Sequence, residues 1–544
     1  MTEHGHGGRA ASRALQSLGV SHLFTLSGGH IFPIYDGCKA DGIRVVDVRH
    51  EQSAGFAAEG WARLTRSVGV CAVTAGPGVT NLMSSLAQAG ANGAPVLALA
   101  GRAPAFRWGQ GSLQEIDHVP FVDPLAPART VGSARDVPAA VVDAAGRARS
   151  RPRGPVFLDF PLDVMYGLDD FEVPPPGAGS KRGPAPHAGS ADGDIDRVAE
   201  LIENSERPVL VAGSNVWLDR AEDRLATLVE AAGIPMYMNG QGRGCLPADH
   251  PLAFARSRSA AMTAADLVIV AGAPLDFRLG FGQGFASGAR VVHMNAGPPP
   301  RHVELACPHV ADPLDLVFGG IADGLRRAPD TSAWRAHLRT VEDSKRAAAQ
   351  ADLASTQVPI HPLRVYGELA RVLERDAIVI GDGGDFVSFA GREVASYVPG
   401  AWLDPGPFGC LGCGPGYALA ARLAHPDRQV VLLLGDGALG FSLAELETMV
   451  RLDLPVTCVV GNNGIWGLEK HPMRALYGYD MAADLQPGLR YDQVMEAFGG
   501  NGALVADPDA VGPALRRALD SGVPSLVNVV TDPEVAYPRA STLA

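Results

Sequence analysis

Two short clusters of oxygen-bearing residues each follow an apolar run. Gly435-Asp436-Gly437 comes after Val430 to Leu434, and Gly461-Asn462-Asn463 comes after Leu454 to Val460. Both runs are short, unbroken and rich in branched residues, as strands buried on both faces of a parallel sheet should be. The clusters therefore fall at carboxyl ends of strands, where open α/β sheets bind ligands. Magnesium takes near-octahedral oxygen coordination from one or two protein side chains plus phosphate oxygens. The carboxylate of Asp436, the amide oxygen of Asn463 and the following carbonyl of Ile465 suit that geometry, and backbone amides at the start of the next helix would receive a diphosphate. Leu443, Leu446, Glu447, Met449 and Val450 continue at helical spacing between the two strands. Taken singly, Gly-Asp-Gly also reads as a tight turn and Asn-Asn as a strand-ending loop.

A further acid lies at the same kind of boundary. Ile43 to Val48 reads as a strand, Arg49-His50-Glu51 follows, and Ala54, Ala57, Ala58 and Ala62 continue as a helix, so Glu51 opens that helix. In isolation such a residue would only complement the helix dipole. The pairing of Asp436 with Asn463 across a strand, a helix and a second strand resembles the motif of thiamine-diphosphate (ThDP) enzymes. The segments Val48 to Arg63 and Val70 to Asn81 resemble the pyrimidine-binding domain of acetolactate-synthase-like ThDP enzymes, and the likeness spans nearly the whole chain.

The resemblance implies an α/β fold of three doubly wound parallel-sheet domains of the ThDP-dependent decarboxylase/acetolactate synthase type. It implies that Glu51 activates the cofactor: a carboxylate bonded to the aminopyrimidine favours an imino tautomer, whose nitrogen takes the thiazolium proton. Further cofactor contacts are implied at Gly28, Gly29, Gly76 and Asn81 near the amino terminus. Toward the carboxyl terminus they are Gly383, Gly435, Gly437, Ala438, Trp466 and Gly467, with Leu411 as the bulky apolar side chain beneath the bent cofactor.

The bulk properties agree. A chain of 544 residues with 47% apolar content suits several domains of roughly 100 to 200 residues. A formal charge of −13 argues against nucleic acid or an anionic membrane surface as the main partner. Met1 to Gly8 lacks the apolar core of a secretory signal, and no apolar run reaches the roughly 20 residues of a membrane helix, so a soluble cytoplasmic protein is expected. Seven scattered cysteines fit reduced intracellular thiols. Cys410-Leu411-Gly412-Cys413 has the form of a zinc or redox pair, but no second pair at zinc spacing accompanies it.

The Pro/Gly-rich stretch Val173 to His187 reads as a linker, and Ala328 to Gln357 as a charged helical region. They separate a pyrimidine-binding domain (1–175), a middle domain (190–345) and a diphosphate-binding domain with a carboxyl-terminal tail (360–544). The middle domain holds three strands ending in small or polar turns at Gly213-Ser214, Gly272-Ala273 and Asn295. The resemblance leaves it open to ADP, to FAD or to a purely structural role. Arg256, Arg258 and Arg278 offer cations to a phosphate, or are solvated surface arginines.

Leu26 to Ile31 and Gly109 to His118 resemble the 2-hydroxyacyl-CoA lyase branch of the family, while related features occur in acetolactate synthases. The lyase likeness implies cleavage of a 2-hydroxyacyl-CoA to formyl-CoA and an aldehyde or ketone, reversible as a condensation; the alternative is a pyruvate carboligase or decarboxylase of the acetolactate class. In the lyase reaction a carbinol hydroxyl loses a proton and the carbon left behind gains one, so a group with pKa near the working pH could serve both. His30 and Gln114 are the candidates for orienting substrate, with Leu113 beside them. The helix Tyr491 to Phe498 carries Gln493 where the lyase resemblance implies an acid; a carboxamide holds a hydrogen bond but cannot exchange the proton. Gln493 thus reads as an isosteric replacement of Glu, or as a surface residue; a cofactor-binding protein without turnover is the reading from another class. The tail from Tyr537, with Arg539 as its one cation, is read as a lid over the acyl-CoA or as a flexible end. The resemblance implies that Glu51 and Asp436 meet across a subunit interface, with a homodimer as the minimum and a homotetramer expected.

Overall fold

The structure, a computed structural model, describes residues 1–177 and 192–538, which divide into two compact units. Among the described residues, the first unit comprises 1–177, 405–427 and 438–456, and the second comprises 192–404, 428–437 and 457–538.

The first unit is built on a six-stranded parallel sheet. From edge to edge it runs Arg44–Asp47, His22–Thr25, Gly69–Val73, Val96–Arg102, Val156–Pro161, Ala128–Thr130. The central strands are apolar and buried, up to Arg102 at the end of Val96–Arg102, because helices cover both faces. The first strand in sequence lies between the second and third, so winding reverses between His22–Thr25 and Gly69–Val73. A ligand crevice is expected where their carboxyl ends diverge, at Leu26–His30 and Thr74–Gly76.

Two helices of this unit approach closely, Glu51–Thr65 and Cys413–Ala424. Small residues make this possible: a Cβ on Gly416 would lie 2.8 Å from that of Phe56, and one on Gly60 would lie 3.0 Å from Tyr417 Cδ1. Beneath them Glu59 and Arg63 form a buried ion pair at 3.2 Å, with Asn92 donating to Glu59 and Gln88 to the Tyr417 hydroxyl. A buried charge pair is tolerable only when its remaining valences are satisfied in this way.

The second unit contains two parallel sheets. The four-stranded one runs Met236–Met238, Pro208–Ala212, Leu267–Ala271, Arg290–Met294. The six-stranded one runs Trp402–Leu403, Ile378–Asp382, Val430–Gly435, Thr457–Asn462, Ser525–Val530, Asn501–Val505. All three parallel sheets thus begin with the same winding, second strand, first, third, fourth, and the α/β class with three doubly wound parallel sheets is what the chain forms.

Local limits differ from those read in the sequence. The strand expected over Leu454 to Val460 begins at Thr457 and runs through Asn462, which puts Asn462 inside the sheet and Asn463 just beyond it. The helical run after Gly437 is two helices, Asp436–Phe441 and Glu445–Arg451. The break falls where the Ser442 hydroxyl donates to the Gly412 carbonyl at 2.7 Å instead of facing its own helix.

Candidate functional site

In the second unit, strand register sets Gly435 opposite Gly461, so Asp436 and Asn463 emerge from the ends of neighbouring strands; winding reverses on the other side of Val430–Gly435, next to Ile378–Asp382, so Asp436 borders the reversal point and Asn463 lies one strand further on. Asp436 is buried, and its two oxygens accept the backbone N–H groups of Gly464 at 2.8 Å and Gly437 at 3.1 Å. Burial pushes its carboxyl up to about 6, and no cationic side chain among the described residues bonds it. Asn463 turns its amide oxygen back on the Ile465 N–H at 3.2 Å. Among the described residues no group of three or more His, Cys, Asp or Glu converges to hold a metal. A site here would rest on one carboxylate supported by amide and carbonyl oxygens, the donor set that suits magnesium. A buried carboxylate lacking a cationic neighbour fits such an ion, with Asp436, Asn463 and the Ile465 carbonyl as the groups to hold it.

The glycines around this point are steric requirements. A Cβ on Gly437 would fall 2.5 Å from the Trp466 ring, and one on Gly467 would fall 2.9 Å from that of Asp385. Gly383 follows Ile378–Asp382 with φ +65, a left-handed conformation that favours glycine.

In the first unit, Glu51 is the opening residue of its helix, buried, with the Asn81 amide donating to it at 3.0 Å. At the reversal point of this sheet the Thr74 hydroxyl lies 3.1 Å from His30 Nδ1 and 3.2 Å from Gln114 Oε1. A Cβ on Gly28 would overlap Thr74, and one on Gly76 would come within 2.9 Å of the Gln114 Cβ. Gln114 itself has φ +59, a strained conformation for a side chain of its size. His30 packs against Gly101, where an added Cβ would sit 2.2 Å from its own, and burial lowers the His30 pKa. Leu113 is exposed beside this cluster, Gly29 is exposed with its carbonyl accepting the Tyr166 hydroxyl at 2.8 Å, Leu411 is half-buried before the left-handed Gly412, and Ala438 is buried.

Comparison with known proteins decides the family. Residues 5–121 match the N-terminal TPP binding domain of thiamine pyrophosphate enzymes, 195–313 the central domain, and 382–529 the C-terminal TPP binding domain. The chain is a thiamine-diphosphate enzyme. It is 52% identical over 543 residues to an acetolactate synthase large subunit of Mycobacterium tuberculosis, covering 99% of this chain and 98% of that one. A probable acetolactate synthase of Mycobacterium bovis is similar to the same degree. It is 34% identical over 574 residues to 2-hydroxyacyl-CoA lyase 2 of Homo sapiens, covering 96% of this chain and 90% of that one.

In the enzyme's middle domain, the arginines expected to face a phosphate mostly face carboxylates instead. Arg256 forms a two-pronged ion pair with buried Glu393, and Arg278 binds Asp276 at 2.7 to 3.1 Å. Arg258 donates to the Asn239 amide at 2.8 Å, and Asn295 accepts from Asn215 at 2.7 Å. Arg539 lies outside the described residues, as does the tail beyond Pro538. Gln493 is exposed on the helix Tyr491–Phe498, and its side chain makes no hydrogen bond among the described residues.

Asn462 and a residue not singled out in the sequence, Asn528, bracket that helix. Asn462 donates to Leu489 O at 2.9 Å and to Asn528 Oδ1 at 3.0 Å, while Asn528 donates to Leu489 O and to Asp492 Oδ1. Burial would raise the Asp492 pKa, but bonds from Arg490 and Asn528 hold it below the usual range. Tyr491 donates to the Asp436 carbonyl at 3.4 Å. A polar asparagine inside the apolar strand Ser525–Val530 was the signal available. Among the described residues no helix is long and apolar enough to cross a membrane.

Proposed function

We propose that the enzyme breaks or makes the bond between a carbonyl carbon and an adjacent carbinol carbon, and that its substrate is a 2-hydroxyacyl-CoA cleaved to formyl-CoA and an aldehyde or ketone. The observation that carries this reading is the uncharged cluster His30, Thr74 and Gln114. The single proton of the Thr74 hydroxyl goes to Gln114 Oε1, so the Thr74 oxygen accepts from His30 Nδ1. His30 Nε2 is then left with a lone pair, and the lowered pKa keeps the ring neutral near pH 7. That nitrogen suits the proton of a carbinol hydroxyl. Arg102, at the end of a neighbouring strand, is bound by Asp117 at 2.9 Å and Asp159 at 3.0 Å rather than offered to a substrate carboxylate. Bound ThDP supplies the nucleophilic carbon and the electron sink. Asp436 and Asn463 would hold its magnesium-bound diphosphate, and Glu51 would orient its aminopyrimidine.

Pyruvate carboligation of the acetolactate class is the second reading, and a specific observation favours it. The relatives at 52% identity carry that name, against 34% for those named 2-hydroxyacyl-CoA lyase. Similarity alone weighs toward this second reading; the uncharged cluster weighs toward the thioester. Two incubations with ThDP and magnesium separate them, one with a short 2-hydroxyacyl-CoA and one with pyruvate. Formyl-CoA supports the first reading and acetolactate the second. Neither product, with ThDP binding intact by calorimetry, leaves a cofactor-binding protein without turnover.

The assembly proposed with this chemistry is a homodimer at least, and a homotetramer as the expected form, checked by sedimentation. An ADP or FAD ligand of the middle domain is checked by denaturing the purified protein and analysing the released nucleotide.

A further inference from the structure

Glu445 opens the helix Glu445–Arg451 and is 1% exposed. Its two oxygens share the backbone N–H of Arg49 at 3.0 and 3.2 Å, and one also accepts the Thr448 hydroxyl at 2.7 Å. No lysine or arginine side chain among the described residues pairs with it, and burial raises its pKa. A buried carboxylate bonded only to neutral donors is an expensive way to fill space. Arg451, at the other end of the same short helix, grips Asp47 through its carboxylate at 2.9 Å and its carbonyl at 3.0 Å. The strand Arg44–Asp47 ends at Asp47 and the next helix starts at Glu51, so one grip holds the start of the turn that delivers Glu51 and the other holds its middle. Other contacts of that turn are Val48 N–H to the Thr25 carbonyl, Gln52 N–H to His50 Nδ1 and Ser53 N–H to the His50 carbonyl.

We propose that Glu445 is a positioning residue for Glu51, fixing the Asp47–Glu51 turn through the Arg49 amide. The helix that provides it follows Gly435-Asp436-Gly437 in sequence. The inference rests on the proposed role of Glu51 in activating ThDP.

The test uses the holoenzyme and follows exchange of the thiazolium C2 proton of bound ThDP into deuterium, read by NMR after acid quench, in the absence of substrate. Glu445→Leu removes the acceptor and is expected to slow exchange by about 10- to 100-fold, the scale of a misplaced catalytic group. ThDP affinity by calorimetry is expected to stay within about threefold, because the diphosphate supplies most of the binding contacts. Glu445→Gln keeps one acceptor oxygen for Arg49 and is expected to recover most of the rate. Thr448→Val loosens the carboxylate without removing it and serves if Glu445→Leu does not fold; a slower exchange is again expected. Unchanged exchange in the folded Glu445→Leu variant, or in Thr448→Val where that must stand in, overturns the proposal if Glu51→Gln slows exchange in parallel. Unchanged exchange in Glu51→Gln removes the role of Glu51, and the proposal with it.

Discussion

Asn528 Nδ2 donates to Asp492 Oδ1 at 3.1 Å, tying the strand Ser525–Val530 to the first turn of the helix that carries Gln493. With Asn462 on the neighbouring strand, it fixes that helix against the end of the sheet from which Asp436 emerges. Replacing Asn528 with Leu leaves buried Asp492 and the Leu489 carbonyl short of a donor. A loss of about 1 to 3 kcal/mol is expected from such an unsatisfied group, measured by urea unfolding. Turnover should fall further than stability accounts for, since Tyr491 and Gln493 move with the helix. An unchanged midpoint and rate would remove this bracket from the description of the site.

Gln493 faces solvent without a partner, so a carboxylate there costs the fold little. Gln493→Glu restores a group that can accept and return a proton. A rise in kcat of about 100-fold is the scale of general acid–base assistance. Steady-state kinetics on a 2-hydroxyacyl-CoA that show no gain would end the assignment of this position to substrate chemistry.

Thr74 orients His30 through one hydroxyl, and valine copies its shape without that group. Thr74→Val should retain ThDP affinity and lower kcat by about tenfold or more, because the imidazole loses the bond that fixes its tautomer. A wild-type kcat in this variant would detach the cluster from the reaction.

The Asp436 carboxyl, at about 6 in the metal-free protein against an ordinary 3.8, holds its proton more tightly folded than unfolded. The stability this contributes is present below the ordinary value and is lost as pH rises through about 6. Magnesium must displace that proton at low pH and meets a bare carboxylate at high pH. Apparent magnesium affinity should therefore be level above about pH 7 and fall toward tenfold per pH unit well below 6. Magnesium with ThDP should raise the melting temperature more at pH 7.5 than at pH 5, within about those limits. Calorimetry in buffers of different ionisation heat gives the proton release, and a pH-independent affinity would refute the account. Asp436→Ala should abolish the metal-dependent part of ThDP binding.

The parts of the site legible in advance were those made by neighbouring residues along the chain. Glu51 heads a helix, and Asp436 and Asn463 each come directly after a strand; apolar runs and glycine turns mark such boundaries locally. The arginines show the limit of that reasoning. Arg256 and Arg278 had the right charge for a phosphate, but their partners are Glu393, far away in sequence, and Asp276, two residues away, and both carboxylates are met within the fold.

By itself the amino-acid sequence determined the sheet-and-helix alternation, the three parallel domains and the class of cofactor, because periodicity, chain breaks and ligand type are properties of short segments. Only tertiary structure decided that Thr74 stands between His30 and Gln114, that Asn528 holds Asp492, and that Glu445 takes the Arg49 amide. Each of these pairs joins segments at least 36 residues apart in the sequence. Hydrogen bonds act over about 3 Å, so their partners are chosen by strand register and helix packing, which no single segment encodes.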